Sequence, residues 1–309
     1  MSTIPLPAPQ PSDHRPATAG GQADRWTVQA ILDWTTGHLA DHGSESPRLD
    51  AEILLAQARD CRRIELYTQF DQALTDQQRA VMRDLVKRRA AREPVAYLVG
   101  FREFFGADFA LTSDTLIPRP DTETLIVELL DLARQLPTPP AILDLGTGCG
   151  CIAITLATQL VSAQVSAVDI SPAALEVARA NAETHNVADR IAFFAGDLYE
   201  PIPPDRKFQF IASNPPYVTT AELDQLPPDI RDHEPRTALD GGADGLDVIR
   251  RLVAGAPDHL APGGSLLCEI SPEQADGVRR LVAEQTAFGS TRTVTDLSGQ
   301  ARVVVASID

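Results

Sequence analysis

The spacing of apolar residues divides the chain into a helical part and an alternating part. Val28, Ile31, Leu32 and Leu39 recur at the 3.6-residue period of one helix face. A second helix is predicted from Ser46 as N-cap and Pro47 as first helical residue, carrying Leu49, Ile53 and Leu54. A third opens at the capping box Thr75-x-x-Gln78, carries Val81, Met82 and Leu85, and stops near Pro94. Residues 25–94 therefore read as a small helical domain. Residues 95–117 mix Val95, Tyr97, Val99, Phe101, Phe104, Phe105, Phe109 and Leu111 with Gly100 and Gly106, which predicts a β-hairpin linker. Beyond it, in residues 118–309, strand-like runs (Ala141–Leu145, Gln164–Asp169, Ile191–Ala195, Phe208–Ala212, Ser265–Ile270) alternate with helix-like ones. Helices are predicted from Cys151, from Pro172, near Asp247–Ala254 and after Pro272, and the pair Thr291–Thr295 and Arg302–Ala306 closes the chain. That order predicts a doubly wound α/β domain with a mostly parallel sheet.

Composition adds limits. Residues 1–24 hold five prolines and almost no large apolar side chain, so a disordered tail is expected there. The net charge of −16 argues against a protein that holds nucleic acid by broad phosphate neutralisation. Cys61, Cys149, Cys151 and Cys268 are too few and scattered for a disulfide framework, and Cys149-x-Cys151 has no second ligand pair near it, so no metal is expected. No stretch approaches a membrane span and the N-terminus lacks a signal-peptide pattern, so a cytoplasmic protein is expected.

The first chemistry-bearing run is Leu143-Asp144-Leu145-Gly146-Thr147-Gly148-Cys149-Gly150, a strand breaking into a glycine loop where a helix begins. Glycine permits positive φ and close approach of a ligand, and ligands of open α/β sheets sit at the carboxyl ends of strands. The G-x-G-x-G spacing differs from that of a dinucleotide fold. Asp169 ends the second strand, where a carboxylate can accept both ribose hydroxyls, and Asp197 ends the third, within reach of an adenine amino group. Together they point to an adenosyl cofactor.

The fourth strand breaks into Ser213-Asn214-Pro215-Pro216-Tyr217. Two prolines stiffen this loop and leave carbonyls free. The Asn214 amide oxygen and the Pro215 carbonyl can accept both hydrogens of a planar –NH2 group, directing nitrogen electron density at an electrophile, while Tyr217 covers the flat group.

With these residues in place, the chain resembles the bacterial protein-(glutamine-N5) methyltransferases of peptide-chain release factors. The likeness extends to Glu93–Gly100, Glu103–Gly106, Ile117-Pro118-Arg119-Pro120-Asp121-Thr122-Glu123 and Glu234–Leu246, and covers about residues 26–309. It implies a seven-stranded, Rossmann-like class I methyltransferase domain behind a small helical domain and a hairpin. It implies S-adenosylmethionine as cofactor and, as substrate, the glutamine of a Gly-Gly-Gln motif in a release factor, with the enzyme a monomer. By the same resemblance, Gly146, Thr147, Gly148, Cys149 and Gly150 face the methionine part of the cofactor, Asp169 its ribose, and Asp197 and Leu198 its adenine. Asn214, Pro215, Pro216 and Tyr217 hold the glutamine at the point of transfer, with Asn214 also beside the cofactor.

An N6-adenine or N2-guanine nucleic-acid methyltransferase uses the same kind of loop, but it calls for a basic groove that this acidic chain lacks. A nicotinamide oxidoreductase fits neither the glycine spacing nor the loop, and intact loop residues speak against a non-enzymatic binding module. Two further features stand apart. Arg83, Lys87, Arg88, Arg89 and Arg92 form a basic cluster, either a solvated helix face or a docking surface. Gly20-Gly21-Gln22 in the tail matches the target tripeptide, yet offers no docking surface, so Gln22 is expected to stay unmethylated.

Overall fold

A computed structural model describes residues 26–309, so the expectations for the tail and for Gly20-Gly21-Gln22 lie outside the described residues. The chain opens with helices α1 (Val28–Asp41), α2 (Pro47–Arg59), α3 (Arg63–Leu66), α4 (Asp76–Ala90) and α5 (Val95–Val99). Thr27 and the Thr75/Gln78 capping box close the starts of α1 and α4 as their hydroxyls accept from Ala30 N and Gln78 N. Ser46 stands at the N-cap of α2, but its side chain makes no capping bond. Leu32, Leu39, Leu54, Leu55, Leu66 and Met82 bury together as the core of this helical part.

The hairpin is shorter than the pattern predicts. Strands β1 (Phe101–Phe104) and β2 (Ala107–Ala110) pair antiparallel, whereas Val95–Val99 is helical. Pro94 starts that turn with its fixed φ, and Gly100 ends it at φ +83. The β-branched and aromatic residues there carry a strand signal that local capping overrides.

The remaining elements are α6 (Glu123–Ala133), β3 (Ala141–Leu145), α7 (Cys151–Gln159), β4 (Gln164–Asp169), α8 (Pro172–Thr184), β5 (Ile191–Ala195), β6 (Phe208–Ser213), α9 (Pro228–Arg231), α10 (Asp247–Gly255), β7 (Leu260–Glu269), α11 (Ala275–Ala283), β8 (Phe288–Thr295) and β9 (Ala301–Ile308). Helix α6 was not expected from the pattern. It is amphipathic, burying Leu125, Ile126, Leu129 and Leu130 against the sheet. Seven strands form one sheet in the order β5-β4-β3-β6-β7-β9-β8, parallel except for β9. This is the seven-stranded, Rossmann-like class I methyltransferase architecture. Pleat alternation divides β3 between two cores: Ile142 packs in one, Leu143 and Leu145 in the other. The chain winds outward from β3 to β5, then returns to β6 on the other side of β3. That reversal opens the crevice in which ligands of such sheets sit. Among the described residues no helix is long and apolar enough to cross a membrane.

Candidate active site

The carboxyl ends of β3, β4, β5 and β6 surround a cavity of about 610 Å³, within the range of small-molecule sites. Gly146 and Gly148 line it at φ +75 and +56, and a Cβ on either would meet nothing within 4 Å. Their bare backbone therefore faces the space itself. Gly150 differs, because a Cβ there would stand 2.8 Å from Ile154 Cδ1 and 3.2 Å from Ala178 Cβ. Its role is close packing of α7 on α8.

Three residues assigned to the cofactor from the sequence do not reach the cavity: Thr147, Cys149 and Gly150. The Thr147 hydroxyl turns back and donates to Asp144 Oδ2 at 2.7 Å. Cys149 is buried, and its carbonyl accepts from Asn181 Nδ2 at 2.9 Å. Asp144 also accepts from Ala153 N, tying α7 to β3, and burial pushes its carboxyl up to about 7.

Asp169, Asp197, Leu198, Asn214 and Pro216 do line the cavity. Asp169 Oδ2 accepts from Gly148 N at 2.8 Å and Oδ1 from Ser171 N at 2.9 Å. Each carboxylate oxygen keeps a second lone pair for a ligand hydroxyl. Burial raises the Asp169 carboxyl while these backbone donors pull it down. Asp197 Oδ2 accepts from Arg251 at 2.8 Å, and Leu198 stands in the left-handed region at φ +50. Strained backbone of that kind costs about 1–3 kcal/mol and clusters at ligand sites. Ile170, 63% exposed on the same wall, offers a flat apolar contact that sequence reasoning passed over. Its signal was an aliphatic residue directly after the strand-end acid.

The Asn214–Tyr217 loop is held from behind. Gln274 Nε2 donates to the carbonyls of Tyr217 (2.9 Å) and Gly245 (3.1 Å), and Gly241 N donates to Val218 O at 2.8 Å. A Cβ on Gly241 would lie 2.8 Å from Pro216 O and Tyr217 Cα, so glycine alone lets the segment after α9 approach. That segment (Pro235, Arg236, Thr237, Ala238) forms the far wall of the cavity. Among the described residues no backbone N–H donates to the Pro215 carbonyl. Neither Pro215, which is buried, nor Tyr217 lines the cavity, and burial pushes the Tyr217 hydroxyl up to about 12.

The Ile117–Glu123 stretch joins these parts. Ile117 is buried in the core, and each polar side chain after it reaches a different element. Arg119 pairs with buried Glu234 at 2.6 Å, and Asp121 with Arg302 of β9 at 3.0 Å. The Thr122 hydroxyl accepts from Asn214 Nδ2 at 3.1 Å, and Glu123 Oε1 accepts from Phe105 N.

The basic cluster is only partly a solvated face. Arg89 is buried between Asp50 (2.8 Å) and Asp229 (2.7 Å), Arg92 also pairs with Asp229, and Arg88 pairs with Glu93. Arg83 and Lys87 are exposed.

A family model described as the PrmC N-terminal domain matches residues 30–100, and one described as the methyltransferase small domain matches residues 122–226. The release factor glutamine methyltransferase of Rhodopirellula baltica is 45% identical over 283 residues, 90% of this chain and 95% of that protein. That of Geobacter sulfurreducens is 47% identical over 279 residues, 90% and 96% of the two chains. Among solved structures, the hMettl16 catalytic domain in complex with a MAT2A 3'UTR hairpin shares the fold, with a TM-score of 0.55 at 18% identity over 71% of this chain and 81% of that one. Sequence likeness across nine-tenths of its length thus places the chain in the family of release factor glutamine methyltransferases.

Proposed function

We propose that the protein transfers a methyl group from S-adenosylmethionine to the side-chain amide nitrogen (N5) of the glutamine in a release factor's Gly-Gly-Gln motif. The observation that carries this reading is the meeting of the bare Gly146/Gly148 backbone, Asp169 and Asn214 around one cavity, in a chain whose relatives bear that name. Gly146 and Gly148 would hold the methionine part of the cofactor, Asp169 the ribose, and Asp197, Ile170 and Leu198 the adenine. When bound, the cofactor supplies an electrophilic methyl group on a sulfonium.

An amide nitrogen is a poor nucleophile because its lone pair is delocalised into the carbonyl. Asn214 Oδ1 and the Pro215 carbonyl would accept its two hydrogens, return electron density to nitrogen and stabilise the positive charge that develops there until one of the two protons is lost to solvent. The stiff double proline holds those acceptors before reaction, so reorganisation is small. Tyr217, with its hydroxyl raised to about 12, stays protonated at neutral pH and would not serve as a base. The helical domain docks the protein substrate and performs no chemistry. The enzyme acts as a cytoplasmic monomer without a stable nucleic-acid partner, in keeping with the net charge of −16.

A labelled-methyl transfer assay tests the reading by comparing a release factor, its Gln→Ala loop variant, bulk RNA and bulk DNA. Label is expected on the intact release factor alone. Label on RNA or DNA, or on the Gln→Ala variant, would overturn the assignment.

A further inference from the structure

An asparagine side chain can present either end to a substrate, and only one end suits this reaction. Oδ1 accepts a hydrogen from the reacting amide, whereas Nδ2 would repel it. Nothing in the Asn214-Pro215-Pro216-Tyr217 loop itself selects the end, because oxygen and nitrogen differ little in size.

The selection comes from outside the loop. Asn214 Nδ2 donates to Thr122 Oγ1 at 3.1 Å, across 92 residues of sequence. Thr122 is 1% exposed, in a 3-10 turn (Pro120–Thr122) closed by its own N–H on the Arg119 carbonyl. A threonine hydroxyl has one hydrogen and two lone pairs. The Glu269 carboxyl, also 1% exposed, lies beside Thr122, and the threonine hydroxyl offsets part of the rise that burial gives its pKa. A carboxylate beside the hydroxyl draws its hydrogen, which leaves Asn214 a lone pair, and a lone pair takes the NH2 end, as the 3.1 Å bond from Asn214 Nδ2 has it.

The sheet explains why Glu269 stands there. In the parallel pairing of β6 and β7, Ser213 lies opposite Cys268, so Asn214 and Glu269 follow at adjacent strand ends. Thr122, arriving in the turn before α6, is inserted between them.

We propose that Thr122 is a positioning residue for methyl transfer: anchored on Glu269, its hydroxyl orients the Asn214 amide so that Oδ1 faces the substrate nitrogen. This rests on the reading of Asn214 as the group that accepts from the substrate amide. Thr122 does not line the cavity and acts only through Asn214.

The test is a kinetic cycle with the full-length enzyme and an intact release factor. Thr122→Val keeps the shape and removes the hydroxyl. It is expected to lower kcat by roughly 10- to 100-fold, a share of what loss of a preorganised polar group at a reacting centre costs. KM for the release factor and the Kd for S-adenosylhomocysteine are expected within about 2-fold of the parent, and Thr122→Ser is expected to restore kcat. In an Asn214→Ala background, Thr122→Val is expected to have no further effect, because no amide remains to orient. Undiminished kcat in Thr122→Val, or equal losses in both backgrounds, would overturn the proposal. Should Thr122→Val unfold, the Thr122→Ser and Glu269→Gln enzymes keep it open to refutation, since both retain an acceptor–hydroxyl pair and must retain kcat at high pH. If the parent enzyme methylates the release factor while Asn214→Ala loses nothing, the underlying reading fails instead.

Discussion

Arg89 of α4 and Asp229 of α9 meet in a 2.7 Å ion pair, 140 residues apart in the chain. Arg89 is 7% exposed and also holds Asp50 at 2.8 Å, so one guanidinium joins the helical domain to the segment that follows the Asn214–Tyr217 loop. Removing one partner of such a buried set leaves charges without compensation and costs about 3–5 kcal/mol. Arg89→Ala is expected to destabilise the fold by that amount in urea unfolding. Arg83→Glu, on the exposed side of the same helix, is expected to change stability by no more than about 0.5 kcal/mol. Similar midpoints for the two variants would reject the structural role of Arg89.

Asp169 is expected to act on cofactor binding. Its carboxylate holds Gly148 N and Ser171 N and keeps lone pairs facing the cavity. Asp169→Ala therefore removes the proposed ribose acceptor and a bond to the glycine loop together. Loss of a charge-assisted contact amounts to about 1.5–3 kcal/mol, roughly 10- to 150-fold in affinity. Calorimetry with S-adenosylhomocysteine measures it, and an unchanged Kd would refute the assignment.

The parts of the site legible in the sequence are those where the residues that act together are adjacent in the chain. The glycine loop, the strand-end acids and the Asn214–Tyr217 loop each announce themselves within a few residues, because a strand ending in a tight turn leaves a local mark. The sheet was legible for the same reason: buried parallel strands are short continuous apolar runs. What was hidden is long-range. Nothing near Thr122 shows that it meets Asn214, nor near Glu234 that it meets Arg119. Arg89 looked like its neighbours Lys87 and Arg88, and only the packing of α4 on α2 sets it inside. Thr147 and Cys149 show the converse, since a glycine loop suggests ligand contact along its length, yet neither of them lines the cavity.

Asn181 illustrates a long-range contact with a measurable consequence. On α8 and 2% exposed, it accepts from Ala110 N at 2.9 Å through Oδ1. Its Nδ2 donates to Ala110 O at 3.0 Å and Cys149 O at 2.9 Å. One amide thus clamps the hairpin to the back of the glycine loop. Asn181→Ala leaves these backbone groups unsatisfied, and a loss of roughly 1–3 kcal/mol is expected in chemical denaturation. Affinity for S-adenosylhomocysteine should fall less than in Asp169→Ala, because Gly146 and Gly148 keep their other bonds. An affinity loss equal to that of Asp169→Ala would mean Cys149 itself contacts the cofactor.

Glu269 is expected to give the enzyme a pH dependence of opposite sign in activity and in stability. Burial raises its carboxyl from 4.5 to about 7, Asp121 adds to the rise, and the Thr122 hydrogen bond with Arg302 and Arg119 opposes it. Tyr217, Cys268 and Cys151 also feel its charge, but each is itself raised and stays protonated near neutrality. Below about pH 7 the carboxyl is protonated and can donate to Thr122, which frees the threonine hydrogen for Asn214 Oδ1 and relaxes the orientation of the amide. kcat is therefore expected to rise through about pH 7 and then level off. Stability runs the other way. Between about 4.5 and 7 the folded protein holds a proton that the unfolded chain has released, so unfolding free energy falls as pH rises through that window. Asp144, raised from 3.8 to about 7, adds a slope of the same sign, and its titration must be told apart from that of Glu269. Glu269→Gln does so, because its side chain has no proton to lose in this range. The variant is expected to lose the rise in kcat and part of the stability slope while Asp144 keeps the rest. A kcat profile in Glu269→Gln that still rises through pH 7 would assign the dependence to another group.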